Sequence, residues 1–343
     1  MTRIWYNKSF SFVYAAINLI KQQDNTQEFY LLASHTQAHA RALLVAHEAH
    51  VEPSGLTGQA YVEWCLAFCQ QHRVEVFVVG KEAQTIASYE QAFLAIGTRL
   101  FLVADADTLI LMENKSQFAA QLPTEIAILP ETITVTTASE FQLAYQQLRS
   151  GYRRVAVKPA ISVFGLGFRE IDEQRSCLQH ILKGDEYIIS LEELQSAMAK
   201  QPTFGKLLVM EFLDGDEWSV DCLADKGQLW VAVQRRKAMK EKGVPSQYID
   251  NNPDIAAMCQ RLTQHLDLSG QFNIQFREGQ NGIRLLEINA RPSGGMAMAC
   301  LSGVNLPYMA LKGFINGYET LPIPQIKTGI YVGEVSTAIV ITN

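Results

Sequence analysis

Four polar side chains interrupt an otherwise apolar stretch, residues 271–295, and their types suit a metal ion and an anion. Glu287, Asn289 and Arg291 are spaced two apart, so a β-strand would project all three to one face. Gln275 would lie on the preceding strand of the same predicted hairpin. Carboxylate and amide oxygens suit Mg²⁺, and a guanidinium stabilises an anion that gains charge during a reaction. The alternative is the solvent-facing side of an ordinary hairpin.

Two lysines upstream are candidates for phosphate binding. Lys158 lies near the end of the apolar run 155–159, before a loop that contains Gly165 and Gly167. A strand-borne ammonium beside exposed backbone N–H groups favours phosphate binding, although the P-loop sequence G-x-x-x-x-G-K-[ST] is absent. Lys115 taken alone is a solvated surface lysine and becomes a candidate only together with Lys158.

A turn between two predicted strands carries groups suited to a nucleoside. The apolar run 207–212 includes Glu211 and Phe212, and Leu213 opens the turn that leads to Glu217. An apolar strand edge with backbone polar groups and one carboxylate suits an adenine ring, and Glu217 could accept a hydrogen bond from a ribose hydroxyl. Taken singly, both glutamates would be surface carboxylates.

A basic cluster after the predicted strand 229–233 is a candidate for binding the rest of the substrate. Clusters of this kind are usually solvated, but in an acidic protein a local cationic cluster near a phosphate site suits a substrate carboxylate or phosphate. The cluster contains Arg235, Arg236 and Lys237, and a second candidate set directly follows the polar stretch, Ser293, Gly294 and Gly295.

The elements that position these residues begin with residues 1 to about 105, where strand-like and helix-like segments alternate. This alternation predicts a doubly wound parallel sheet. No G-x-G-x-x-G follows the first strand, so a dinucleotide site is not supported there. The predicted strands are 3–6, 28–34, 74–80 and 99–104, with helices at 12–22, 39–50, 58–72 and 88–96; a last strand is predicted at 329–340.

Composition excludes several classes of partner. A formal net charge of -6 and a pI near 5.7 argue against nucleic-acid and anionic-membrane partners. No apolar run is long enough to span a membrane, and the N-terminus lacks the continuous apolar segment of a signal peptide. We therefore expect a cytoplasmic protein, whose six cysteines are buried thiols.

Four histidines are grouped in sequence. Zinc would need further ligands in a convergent pattern, so we interpret the group as the polar face of the helix predicted at 39–50 and the residues before it. The histidines are His35, His39, His47 and His50.

The order and spacing of the candidate residues resemble those of the ATP-grasp superfamily. The resemblance covers about residues 108–320 and rests on Lys115, Lys158, the Gly165/Gly167 loop, Glu211 to Leu213, Glu217, Gln275 and Glu287-x-Asn289-x-Arg291. Asn273-x-Gln275 together with Glu-x-Asn-x-Arg is most similar to the ATP-binding units of the carbamoyl-phosphate-synthetase large chain. The run from Asn289 to Gly295 is also similar to amino-acid ligases, and stand-alone proteins of tellurium-resistance operons look like a further match.

The resemblance implies a Rossmann-like domain at 1–107 before a two-lobed ATP-grasp domain at 108–325, with a lid at about 138–212 and a C-terminal strand at 326–343. This fold class combines α/β and α+β parts. The resemblance further implies an ATP-dependent ligase for small molecules, which activates a carboxylate for attack by an amine or another nucleophile. The alternatives are a carbamoyl-phosphate-synthetase-like phosphotransferase unit and a non-catalytic ATP-binding protein; a homodimer is the default expectation.

By matching position, the resemblance also assigns roles to the candidates. Catalytic roles fall to Arg291 and Lys158, and nucleotide binding to Lys115, Lys158, Gly165, Gly167, Glu211, Phe212, Leu213 and Glu217. The ligands of Mg²⁺ or Mn²⁺ would be Gln275, Glu287 and Asn289. Because Gln275 is neutral, Glu287 would be the main anionic ligand.

Overall fold

The computed structural model describes residues 1–160, 166–184, 187–237 and 246–335. The chain divides into two compact units. Unit 1 comprises Met1–Ala127, Trp218–Gln275 and Glu287–Asn343, and unit 2 comprises Ile128–Glu217 and Phe276–Leu286. The predicted division at residues 107 and 325 is a different partition and stays a prediction.

Unit 1 begins with a five-stranded sheet in the order β3-β2-β1-β4-β5, in which every neighbouring pair is parallel. The predicted doubly wound sheet is therefore confirmed. Helix α1 shows why the segments fold this way, because Val13, Ala16, Ile17 and Ile20 form one buried stripe at helical spacing. The elements are β1 Thr2–Tyr6, α1 Phe12–Gln23, β2 Phe29–His35, β3 Glu48–Val51, α2 Gly58–His72, β4 Val76–Val78, α3 Ala83–Ala87, α4 Glu90–Ala95, β5 Arg99–Phe101, α5 Ala106–Glu113 and α6 Lys115–Gln121.

The helix predicted at 39–50 is wrong. This segment instead forms a short 3₁₀ turn, Arg41–Leu44, followed by strand β3. The amide of His47 donates to the carbonyl of Leu31, and Leu32 then pairs with Glu48 in a parallel register. Pairing with the edge of β2 thus overrides the local pattern, as tertiary context commonly does.

Unit 2 contains a second five-stranded sheet in the order β6-β10-β7-β8-β9. Its longest helix, α7, starts with a capping box in which Thr137 and Glu140 satisfy each other's backbone amides. The helix buries Phe141, Ala144 and Leu148 against the sheet. The elements are β6 Thr132–Val135, α7 Ala138–Gly151, β7 Val155–Pro159, β8 Arg169–Asp172, α8 Cys177–Lys183, β9 Ile188–Ser190, α9 Leu191–Met198 and β10 Leu207–Glu211.

A six-stranded sheet has the order β15-β14-β11-β12-β13-β16, and the hairpin of β14 and β15 carries the polar residues of interest. The strands are β11 Glu217–Asp225, β12 Gln228–Lys237, β13 Ser246–Asp250, β14 Gly270–Gly279, β15 Gly282–Asn289 and β16 Ile330–Gly333. Three helices accompany them, α10 Pro253–His265, α11 Met296–Cys300 and α12 Leu306–Asn316. The strand predicted at 329–340 is present as β16, and its part beyond residue 335 lies outside the described residues.

Two further expectations concern the cysteines and the absence of a membrane-spanning segment. Four free thiols are buried and one, Cys300, is half-buried; the buried ones are Cys65, Cys69, Cys222 and Cys259. None of the helices in the described part of the chain combines the length and apolar character that crossing a bilayer requires.

Candidate functional site

In unit 1 a carboxylate, an amide and an ammonium come together at the end of β15. The Asn289 amide donates to Glu287 Oε1 over 2.9 Å. The ammonium of Lys115, at the start of α6, lies 3.8 Å from Glu287 Oε2. The Glu287 side chain is 36% exposed, so an incoming cation can reach its carboxylate. An exposed ion pair such as this one contributes little stability, and its lysine is free to exchange partners.

The neighbouring strand β14 adds two amides. The Gln275 amide donates to Asn273 Oδ1 over 3.4 Å, and the Asn273 amide donates to Ser219 Oγ and to the carbonyl of Val220, each over 3.0 Å. The Glu287 carboxylate and the amide oxygens of Asn289 and Gln275 are hard donors of the kind that fits Mg²⁺, which completes its shell with water and substrate oxygens. The residues present therefore fit the predicted metal ion.

Arg291 lies just beyond the end of β15 and is half-buried. Its guanidinium carbon lies 4.5 Å from the ring centroid of Phe10, and Nη1 donates to the carbonyl of Pro292 over 3.0 Å. Burial lowers the pKa of Arg291, whereas the nearby charges of Glu287 and Asp221 act to raise it. Arginine nevertheless stays protonated at neutral pH. The structure thus holds a partly desolvated cation next to Glu287, where it would act strongly on a bound anion.

A buried ion pair contacts Ser293, just beyond this strand end. Arg235 is 2% exposed and Asp221 is fully buried. Arg235 donates to Asp221 Oδ2 from Nε over 2.9 Å, and its Nη2 lies 2.8 Å from the same oxygen. Nη2 also donates to Ser293 Oγ over 2.7 Å, and the Ser293 amide donates to Asp221 Oδ1 over 3.3 Å. The ion pair therefore fixes the backbone two residues after Arg291.

The predicted basic cluster is not a single surface, because strand alternation buries Arg235 while Arg236 is half-buried and Lys237 is exposed. Arg236 Nε lies 3.4 Å from Asp250 Oδ2. Of the two candidate glycines, Gly294 is exposed, whereas a Cβ at Gly295 would lie 2.5 Å from Arg235 Nη1. A side chain at Gly295 would therefore displace the buried guanidinium.

In unit 2, Glu211 is a buried carboxylate with one unused oxygen. Glu211 Oε1 accepts from Arg284 Nε over 2.8 Å and from the amide of Glu131 over 3.1 Å. Oε2 has no hydrogen-bond partner among the described residues, and the side chain is 1% exposed. An unpaired acceptor of this kind fits a ligand that donates a hydrogen bond, as the amino group of adenine does.

The residues after Glu211 form an apolar platform with a cation on it. The Phe212 amide donates to the carbonyl of Arg154 over 3.1 Å, and the Arg154 guanidinium lies 4.0 Å from the Phe212 ring centroid. Leu213 is buried. Glu217 Oε2 lies 3.7 Å from Arg277 Nη1. The structure thus places Glu211, Phe212, Leu213 and Glu217 together in unit 2.

Lys158 lies on β7 of the same unit, paired in register with Leu208, and is half-buried. Gly167 lies just before strand β8. Its φ of +81° is a left-handed conformation, and a Cβ there would lie 2.8 Å from Pro159 Cδ. Only glycine therefore fits against the residue after Lys158. Gly165 lies outside the described residues.

Sequence reasoning missed several polar residues. Asp221 was not identified, although a carboxylate inside the apolar run 218–224 is the kind of signal that marks a buried partner. His50 was assigned to a polar helix face, but it contacts Glu48 Oε1 over 2.8 Å, as does His72, while Arg3 holds Oε2 over 2.8 Å. Because Arg3 and His72 lie far along the chain from Glu48 and His50, the sequence gave no indication that these side chains form a cluster.

Comparisons with known proteins concern the family and the fold of the chain. Residues 203–338 match a family described as ATP-grasp in the biosynthetic pathway with Ter operon. No curated protein matches the chain.

Solved structures match nearly the whole chain. It is similar to an N5-carboxyaminoimidazole synthetase from Staphylococcus aureus complexed with ADP (12% identity, TM-score 0.62, 95% of this chain and 80% of that one). It is also similar to an L-amino acid ligase from Bacillus licheniformis (13%, 0.62, 92% and 74%). A biotin carboxylase from Campylobacter jejuni in a β,γ-ATP complex matches as well (13%, 0.65, 96% and 74%). The family match thus covers residues 203–338, and the solved structures share the fold of nearly the whole chain.

Proposed function

We propose that this protein is an ATP- and Mg²⁺-dependent ligase that joins a small carboxylic acid to an amine or another nucleophile, releasing ADP and phosphate. The observation that supports it most is the set at the end of β15, where the accessible Glu287 pairs with Lys115, accepts from the Asn289 amide and acts on the charge of the half-buried Arg291. The ADP and ATP complexes of similar structures support the nucleotide.

In the proposed reaction a carboxylate oxygen attacks the γ-phosphorus of ATP. The bond from that phosphorus to the β,γ-bridging oxygen breaks, and ADP leaves with the electron pair. The nucleophile then attacks the acyl carbon, phosphate leaves, and the amine loses a proton. Such transfers depend on positioning and on charge neutralisation, and a bound Mg²⁺ would supply part of that neutralisation.

Each candidate residue would have a separate role in this reaction. Glu287, Asn289 and Gln275 would hold the metal ion. Arg291 would stabilise negative charge on the transferring phosphoryl group, and Lys115 and Lys158 would bind the phosphates. Glu211 and the Leu213 backbone would bind adenine, with Phe212 beside them, and Glu217 would bind the ribose.

The test is release of ADP and phosphate with a panel of carboxylates and amines, with hydroxylamine added to trap the acyl-phosphate as a hydroxamate. Glu287→Gln and Arg291→Ala should each lower turnover about 100-fold or more, as the loss of a transition-state contact does. Glu278→Gln changes an exposed carboxylate of the same hairpin and should leave turnover unchanged. Full activity in Glu287→Gln would exclude the metal assignment, and ATP binding without turnover on any substrate would favour a non-catalytic protein.

A further inference from the structure

A cavity of about 50 Å³ lies within unit 1 at the carboxyl ends of β1 and β4. The loops after these two parallel strands line it, together with residues 290–292. The sheet order places β2 and β3 on one side of β1 and places β4 and β5 on the other. The gap between β1 and β4 is therefore the point where the winding of the sheet reverses, which is where open α/β sheets bind ligands.

Two polar groups that line this cavity have no hydrogen-bond partner among the residues that the structure describes. They are Ser9 Oγ and Gln271 Nε2, both buried and both unpaired within the described part of the chain. Gln271 is only 5% exposed. Leaving such a group buried and unpaired costs about 1–3 kcal/mol. A ligand that presents a hydrogen-bond acceptor in the cavity would remove this cost.

The other lining groups define the chemistry of that ligand. Arg291 supplies a positive charge, and most of the remaining wall is apolar, with Val79, Phe101, Leu109 and Leu311 contributing. The volume corresponds to roughly three to four water-sized groups, at about one probe sphere for each. One cation, two neutral polar groups and an apolar wall of this size fit a short carboxylic acid.

The loops that form the cavity are held in place by their own contacts. Asn7 is 2% exposed, and its Oδ1 accepts from the Gly80 amide over 2.6 Å. Its amide nitrogen donates to the hydroxyl of Tyr61 over 2.9 Å. The loop after β1 is thus tied both to the loop after β4 and to helix α2. A cavity bounded by such contacts is formed before any ligand arrives, which reduces the entropy that binding costs.

We propose that this cavity binds the carboxylic acid that is to be phosphorylated, with its carboxylate on Arg291 and its short body, of roughly three to four non-hydrogen atoms, against the apolar wall. A polar atom of the acid, or the carboxylate itself, would accept from Gln271 or Ser9. The statement that this acid receives the phosphoryl group rests on the proposed function, whereas the binding of a short acid does not.

The test measures binding and turnover separately, on the full chain. Propionate, lactate, pyruvate and octanoate are the probes, and binding is measured by ligand-observed NMR in the presence of Mg²⁺ and a non-hydrolysable ATP analogue. Ala83→Leu narrows the cavity. Ala87→Leu is the matched control because it lies on the same helix and does not line the cavity. Gln271→Met and Ser9→Ala remove the unpaired groups with little change in shape.

Short probes should bind to the wild-type chain, with octanoate binding at least tenfold more weakly. Ala83→Leu and Gln271→Met should raise the Kd of the short probes at least tenfold, Ser9→Ala less, and Ala87→Leu less than twofold, while the affinity for the ATP analogue stays the same. Equal affinity in Ala83→Leu and Ala87→Leu, or no binding of any short probe, would overturn the proposal.

The two proposals fail in different ways. If Ala83→Leu abolishes binding of a short acid and yet no acid on the panel yields a hydroxamate, the cavity assignment stands and the ligase assignment fails. If hydroxamate forms with the same KM for the acid in Ala83→Leu as in the wild type, the ligase assignment stands and the cavity assignment fails.

Discussion

Replacing Arg235 by methionine should destabilise unit 1 by about 3–5 kcal/mol, the usual cost of leaving one member of a buried ion pair without the other. Both members are almost fully buried. In the variant, Asp221 Oδ2 loses both guanidinium contacts, at 2.8 and 2.9 Å. Among the described residues, Oδ1 keeps two long contacts, 3.3 Å to the Ser293 amide and 3.5 Å to the Asn273 amide. Water cannot compensate a carboxylate at this depth, so the full desolvation penalty remains.

Urea unfolding followed by tryptophan fluorescence measures this effect, because all four tryptophans lie in unit 1. In the double variant Asp221→Leu/Arg235→Met no charge stays buried, so its loss should be smaller than the sum of the single losses by about 2 kcal/mol. Arg236→Met is the matched control, since Arg236 and its partner Asp250 are partly exposed, and it should cost at most about 1 kcal/mol. An Arg235→Met loss no larger than that of Arg236→Met would refute the reasoning.

Two further predictions concern other parts of the chain. Gly167→Ala should cost about 1–3 kcal/mol, because of the left-handed φ and the contact with Pro159, and should raise the KM for ATP. Gly151→Ala should do neither, because a Cβ at Gly151 meets no atom of the described residues within 4 Å. Burial acts to raise the pKa of Glu48, but bonds from Arg3 and two histidines outweigh it and lower that pKa from 4.5 to about 2. The stability that this shift contributes is present above pH 4.5 and is lost as the pH falls towards 2. Urea unfolding of the wild type should therefore show a decrease in the free energy of unfolding of about 1–2 kcal/mol over that range, after allowing for solvent screening. The decrease should be smaller in Glu48→Gln.

The local part of the candidate site could be read from the sequence. A spacing of two along a strand places side chains on one face whatever the rest of the fold does. The prediction for Glu287 and Asn289 therefore needed only the strand itself, and β15 with the Asn289–Glu287 bond agrees with it. Arg291 lies just beyond the end of that strand. The doubly wound sheet was predictable for a similar reason, because it follows from an alternation of segments and not from any single contact.

Contacts that depend on the register between strands could not be read in this way. Asp221 meets Arg235 because β11 and β12 pair with Ser219 opposite Arg235, a register that includes an irregularity at Leu223/Ala224. From the sequence alone, Arg235 is one of several adjacent cations, and nothing marks it as the buried one. The cavity is even harder to predict from the sequence, since Ser9 and Gln271 lie far apart in the chain and are brought together by the packing of unit 1.

The buried ion pair and the cavity, which the sequence did not predict, explain why the predicted site residue Arg291 is placed where it is. Phosphoryl transfer is catalysed mainly by positioning, and Arg291 lies at a strand end, where a backbone is normally free to move. Here the residue two positions later is held by the buried pair through both the amide and the hydroxyl of Ser293, and residues 290–292 line a cavity whose loops are themselves tied. A buried ion pair is a poor source of stability, but it is a rigid support. Its contact with Ser293, two residues after Arg291, therefore makes physical sense if the guanidinium must meet its substrate in one fixed place.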